Sequence, residues 1–188
     1  LGLDETVVIQ GAGGLGLNAT AVATEIGAET IVVDGVADRL DRASEFGADH
    51  TINLTDYETV AARRARVEAL TDGLGADVAV EVTGVPAAVE EGFQLLGKGG
   101  RYLVMGNIIP GTEATIDPGQ VVRKSIEVVT TMRYAPTRLN EALSFLSAYG
   151  DDYPFDDLID ASYALSDVDR ALRDSADRTV TRATLVTE

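Results

Sequence analysis

Short apolar runs alternate with stretches of helical period along most of this chain. Thr6-Val7-Val8-Ile9-Gln10 and Thr30-Ile31-Val32-Val33-Asp34 read as strands, as do 50–53, 77–82, 101–105 and 126–131. Between them, residues 15–26, 37–46, 57–70 and 86–96 read as helices, two of them closed by Gly27 and Gly47. The strands are nearly continuous in apolar character rather than alternating. Such strands belong to a parallel sheet covered by helices on both faces. The fold class expected is therefore α/β, a doubly wound parallel sheet. Right-handed crossovers and two βαβαβ halves predict the strand order 3-2-1-4-5-6, with a ligand crevice where that order reverses. The tail is less regular. A helix is expected over 137–149, where Leu139, Leu143 and Leu146 share a face. A strand over 158–165, a helix over 167–175 capped by Ser166 or Asp167, and a closing strand over 182–186 follow. No repeat or low-complexity linker divides the chain. It reads as a single domain, 1–188, with 150–188 as a C-terminal extension.

The loop after the first strand carries the chemistry. Gly11-Ala12-Gly13-Gly14-Leu15-Gly16 is G-x-G-x-x-G, and it follows a strand and opens a helix, as a dinucleotide-binding loop must. Gly11 permits the tight turn. Gly13 lets a pyrophosphate reach the backbone, and Gly16 lets the helix pack close to the strand. The first helical amides, at Gly14 and Leu15, present N–H groups and the positive end of the helix dipole to phosphate. Asp34 ends the second strand, 18 residues past Gly16. A carboxylate there accepts hydrogen bonds from the adenosine ribose and repels a 2′-phosphate, which favours NAD over NADP. Arg39 and Arg42 pull the other way, since an Arg accommodates that phosphate.

Composition narrows the rest. There is no Cys and one His, His50, so disulfides, thiol nucleophiles and Cys- or His-based zinc cages are excluded from this chain. His50 reads as a surface residue at a strand start. The formal charge of −16 sets aside nucleic acid and anionic membranes as partners. Asp outnumbers Glu, and Lys occurs only at Lys98 and Lys124. That balance suits a cytoplasm rich in salt, where screening shrinks charge repulsion; an ordinary acidic protein is the alternative. No apolar run reaches membrane-spanning length, and the start lacks the pattern of a signal peptide. A cytoplasmic location is expected.

Four stretches together resemble the cofactor domain of the zinc-containing medium-chain alcohol dehydrogenases. They are Val8 through Gly16; Arg39-Leu40 through Ala43 to Glu45-Phe46-Gly47-Ala48-Asp49; Asp77 through Gly84; and Gly99 through Gly106. Arg182-Ala183-Thr184-Leu185 matches where that family ends. The resemblance implies NAD as cofactor. It places Arg39 at the adenosine ribose and Val82-Thr83-Gly84 beside a cofactor ribose. It places Met105-Gly106-Asn107 at the nicotinamide amide with Thr131 near it, and Arg182 at the pyrophosphate. Ordinary strand-end backbone or solvated surface charge is the alternative at each of these positions.

The family's zinc ligands, proton relay and most of its substrate pocket lie in a barrel-like domain preceding the matched segment, so no catalytic residue is expected here. Zinc is expected only in that missing catalytic domain, which 150–188 would face. The reading is the NAD(H)-binding domain of a zinc-dependent alcohol or polyol dehydrogenase, with a small-molecule alcohol as substrate of the longer enzyme. Three alternatives stay open: the family's zinc-free branch, reducing quinones or enones with NADPH; a non-catalytic nucleotide-sensing module; and a structural domain that has lost its ligand. A homodimer through the exposed edge of the sixth strand is expected.

Overall fold

Six strands form one parallel sheet in the order predicted, 3-2-1-4-5-6. In chain order they are β1 (Thr6–Gln10), β2 (Glu29–Asp34), β3 (His50–Asn53), β4 (Ala76–Glu81), β5 (Leu96–Val104) and β6 (Glu127–Thr130). The helices between them are α1 (Gly14–Ile26), α2 (Ala37–Glu45), α3 (Val60–Leu70), α4 (Pro86–Leu95) and α5 (Pro118–Lys124). This is a computed structural model that describes residues 1–107, 109–177 and 179–187. The described chain divides into two compact units, Leu1–Ala135 and Pro136–Glu188. The sequence-based boundary at 150 thus falls inside the second unit, because the helix over 137–149 groups with the residues after it.

β1 is buried along its whole length. Val8 pairs with Ile31 of β2 on one side and Ala79 of β4 on the other, and none of the three is exposed to solvent. Burial on both faces explains why these strands carry continuous β-branched runs. One core cluster joins Val8, Ile31, Val33 and Ile52 to Val67 of α3 and Leu95 of α4. Another gathers Ala79, Val89, Phe93, Leu96 and Tyr102.

Two polar links cross this core. The Arg63 guanidinium grips the Glu91 carboxylate with two hydrogen bonds, Nε to Oε1 at 2.6 Å and Nη2 to Oε2 at 2.9 Å, and both residues are buried. Tyr102 donates its hydroxyl to Gln10 Oε1 at 2.9 Å, and Gln10 Nε2 donates to the Ala88 carbonyl at 2.8 Å. Burial pushes the Tyr102 phenol far above its ordinary value, with Glu81 and Glu91 adding to the effect.

The boundaries differ from the sequence reading at several elements, and the strand expected over 158–165 is only Ala161–Ala164, flanked by 3-10 turns at Phe155–Leu158 and Leu165–Asp167. α5 was not anticipated: Asp117 caps it from Gly119 and Gln120 N–H, and Pro118 occupies its first turn, a start signal hidden in a short polar stretch. α3 begins at Val60 rather than at residue 57, because the Thr59 hydroxyl accepts the Ala62 N–H and caps it there. β5 begins at Leu96, ahead of the glycines, and its register with β4 shifts between Ala76 and Val78. β6 stops at Thr130.

The second unit holds α6 (Thr137–Tyr149), β7 (Ala161–Ala164), α7 (Val168–Ala176) and β8 (Ala183–Val186). β7 and β8 pair in parallel. Leu158, Tyr163 and Ala171 are its buried apolar residues. Asp167 is the N-cap of α7 but its side chain makes no cap bond. Leu139, Leu143 and Leu146 do lie on one helix, and all three are exposed.

Candidate nucleotide-binding site

The glycine loop sits at the carboxyl end of β1, where the strand order reverses between β1 and β4. Each glycine of the motif meets a different demand. Gly11 has φ +108°, and a methyl on it would lie 3.0 Å from Thr83 Cγ2 at the end of β4. At Gly16 a methyl would overlap the Gly11 carbonyl oxygen, so α1 packs against the loop only because no side chain intervenes. At Gly13 nothing lies within 4 Å of where a Cβ would stand. That glycine borders open space, so a Cβ there would meet no protein atom and would instead narrow the approach to the helix start. Gly13 is the N-cap of α1, no side chain caps the helix, and its first turn holds no acidic residue. The amides of Gly14 and Leu15 therefore open the helix without a side-chain acceptor. Such a terminus fits an anion.

Asp34 closes the other side of the loop. Its Oδ2 accepts the Ala12 N–H at 2.8 Å and its Oδ1 accepts the Val36 N–H at 2.9 Å. The loop itself is pinned to β2 by the Gly11 N–H, which donates to the Val33 carbonyl at 2.8 Å. One carboxylate thus fixes the spacing between the phosphate-type loop and the first turn of α2. A carboxylate oxygen can accept more than one hydrogen bond, so the group keeps capacity for a ligand hydroxyl. Arg39 lies in the same first turn of α2 and is half-buried.

The second rim comes from β4 and β5. Val82, Thr83 and Gly84 follow β4; Met105, Gly106 and Asn107 follow β5. Sequence reading proposed these six and missed the residue that joins them. Glu81, the last residue of β4, is completely buried. Its Oε1 accepts the Thr83 N–H at 2.7 Å, the Thr83 hydroxyl at 2.8 Å and the Gly84 N–H at 2.8 Å. Its Oε2 accepts the Gly106 N–H at 3.1 Å and the Asn107 side-chain amide at 3.4 Å. A signal was present: a carboxylate in an apolar central strand must find donors, because a buried charge without them is prohibitively costly. Beside Asn107, a pocket of about 350 Å³ is lined by Pro86, Val89, Val104 and Ala114 among others.

Twelve of the fifteen predicted residues thus gather at the carboxyl ends of β1, β2, β4 and β5 or in the helix start that follows: Gly11, Gly13, Gly14, Leu15, Gly16, Asp34, Val82, Thr83, Gly84, Met105, Gly106 and Asn107. Arg39 stands beyond Asp34 on α2. Thr131 lies just past β6 at the sheet edge, exposed, with its hydroxyl donating to the Arg133 carbonyl at 2.9 Å. Arg182 belongs to the second unit, is exposed, and donates its backbone N–H to Asp160 Oδ1 at 3.0 Å. His50 contacts Glu29 Oε1 at 3.2 Å through Nε2, an edge-strand contact away from the crevice. Among the described residues no group of three His, Cys, Asp or Glu could hold a metal ion, so the residues present do not fit a zinc site. No helix among them is long and apolar enough to cross a membrane.

A family model described as zinc-binding dehydrogenase matches residues 14–148. A 5-exo-hydroxycamphor dehydrogenase from Pseudomonas putida is 35% identical over 175 residues, which are 92% of this chain and 48% of that protein. A sorbitol dehydrogenase from Halalkalibacterium halodurans is 33% identical over 76% of this chain and 41% of its own length. The crystal structure of an alcohol dehydrogenase from Thermotoga maritima superposes with a TM-score of 0.91 at 32% identity, covering 99% of this chain and 51% of that one. The chain spans about half the length of the relatives it matches.

Proposed function

The chain belongs to the zinc-binding dehydrogenase family, and on that premise we propose that it is the NAD(H)-binding part of an oxidoreductase that transfers hydride between an alcohol or polyol and nicotinamide. One observation carries the reading: the uncapped start of α1 opens onto free space at Gly13, and Asp34 is tied by hydrogen bond to the loop beside it. A pyrophosphate meets the amides of Gly14 and Leu15 there, and the adenosine ribose meets Asp34. When bound, NAD supplies the hydride-accepting ring. The chain's own contribution is to hold and orient it.

Asp34 favours NAD over NADP, because a 2′-phosphate would bring negative charge onto a carboxylate already fixed in place. Arg39 is assigned to the ribose and Arg182 to the pyrophosphate. Val82, Thr83 and Gly84 are assigned to the second ribose, and Met105, Gly106, Asn107 and Thr131 to the nicotinamide side. No zinc step is assigned to these residues, since none of them builds a zinc site. The names of the relatives support an alcohol or polyol as substrate of the longer protein, with zinc held outside this chain.

The two compact units are assigned to one functional domain, with 150–188 facing a catalytic domain. A homodimer through β6 is supported by that strand's exposure along its length, Val128 and Val129 included. The surface charge suits a cytoplasm of high salt. Calorimetric titration of the chain with NADH tests the assignment. Saturable one-to-one binding is expected, and absence of binding by the intact, folded chain would count against it.

A further inference from the structure

Glu81 has five hydrogen-bond partners, and every one is a neutral donor. Only an acceptor with two oxygens satisfies such a set. The donors come in two groups: Thr83 and Gly84 follow β4, and Gly106 and Asn107 follow β5. The β5 strand end is drawn in further by the Glu81 carbonyl, which accepts the Met105 and Gly106 N–H groups at 3.0 and 3.1 Å. The two turns then touch. A methyl at Gly106 would collide with the Gly84 amide nitrogen and would stand 2.6 Å from Glu81 Oε1.

Position gives this knot a function. In the order β3-β2-β1-β4-β5-β6, Asp34, the acceptor for a ribose, lies on the β2 side of β1. The turns held by Glu81 lie on the opposite side, after β4 and β5. A dinucleotide laid across the reversal point has one half on each side. We propose that Glu81 is a positioning residue for the nicotinamide half of the cofactor: without touching it, the carboxylate locks Thr83-Gly84 and Gly106-Asn107 into the single arrangement that receives the ring and its ribose. The proposal rests on the nucleotide-binding reading above and extends it to a residue that this reading did not use. Charge-assisted bonds to backbone amides are short, directional and strong, which suits a part that must not yield.

The test is Glu81→Gln, which keeps the size of the side chain but replaces one acceptor by an NH2 group. That NH2 must then face donors at one of the two turns. Calorimetry is run on wild type and variant with NADH and, separately, with ADP, which presents only the adenosine half and phosphates. NADH affinity is expected to fall about tenfold in the variant, the equivalent of losing one charge-assisted hydrogen bond, while ADP affinity stays within about twofold. Equal losses for both ligands, or no loss for either, overturn the positioning role and leave the nucleotide-binding reading standing. A wild-type chain that binds neither ligand overturns both. Should the variant not fold, NMR of the wild type decides. The amide resonances of Thr83, Gly84 and Gly106 are expected to move on NADH addition and stay in place with ADP, and amides unmoved by NADH overturn the proposal.

Discussion

The Ala12 N–H donates to Asp34 Oδ2 at 2.8 Å, so the glycine loop after β1 and the acidic end of β2 form one rigid piece. The carboxylate is not waiting loosely for a ligand. It is already oriented by this bond and by the Val36 N–H. A bound ribose would add to an arrangement that exists without it, which limits the ordering cost of binding.

Two glycines of the loop make separable predictions. Gly13 has φ −79° and ψ −174°, a backbone that any residue adopts, and its missing side chain would meet open space. Gly13→Ala is expected to cost no more than about 1 kcal/mol of stability, the preference for Gly over Ala at an N-cap, since its methyl meets no other atom. It is expected to weaken NADH binding by about tenfold or more, one step of 1.4 kcal/mol on the affinity scale. Gly16→Ala is expected to do the reverse in kind: its methyl overlaps the Gly11 carbonyl, and overpacking costs about 1–3 kcal/mol. Thermal unfolding and calorimetry on the same two variants check both statements.

Arg63 and Glu91 form a buried pair between α3 and α4, and Arg63 also donates Nη1 to the Tyr57 carbonyl at 2.6 Å. Arg63→Met leaves the Glu91 charge buried without a partner, at an expected loss of about 3–5 kcal/mol. The double variant Arg63→Met with Glu91→Leu removes both charges and is expected to recover most of that loss. Denaturant melts of the three proteins measure it.

A pH effect is expected at the far end of the sheet. The Arg101 guanidinium bonds both oxygens of Glu5 and holds its carboxyl below its ordinary value of 4.5; burial opposes this, and the Gly2 N–H adds to it. A carboxyl depressed in the folded state stabilises the fold above its unfolded value. The contribution is lost as pH falls through the depressed folded value. Wild type is therefore expected to melt above Glu5→Gln at neutral pH, and the two curves to converge as pH falls below the ordinary carboxyl value and through the depressed one.

The sheet order and the loop were legible because they rest on local signals: apolar runs of strand length, a glycine triplet after the first, and Asp34 at the end of the second. α5 was not legible because its seven residues are too short for a periodic pattern, although Asp117-Pro118 marked its start. Glu81 was visible as a letter in the fourth strand, but its role depends on Gly106 and Asn107, 25 and 26 residues away. The exposed leucines of α6 show the limit of periodicity, which finds a helix and its apolar face without saying what covers it.

Salt is expected to stabilise the protein. With a net charge of −16 and two lysines, self-repulsion weakens the compact state at low ionic strength. At 1 M salt the screening length shrinks to roughly 3 Å. The melting temperature is expected to rise between 0.1 and 1 M sodium chloride (both roughly set by that screening scale), and a flat or falling profile would argue against charge as a control on stability here.

The central claim is that Asp34 and the glycine loop form a site for NAD. Calorimetric titration of wild type and Asp34→Ala with NAD and with NADP, at about the molar salt that screens surface repulsion, tests it most directly. The account predicts tighter binding of NAD by wild type and loss or reversal of that preference in Asp34→Ala. Preference of wild type for NADP, or an unchanged preference for NAD without the carboxylate, would contradict it.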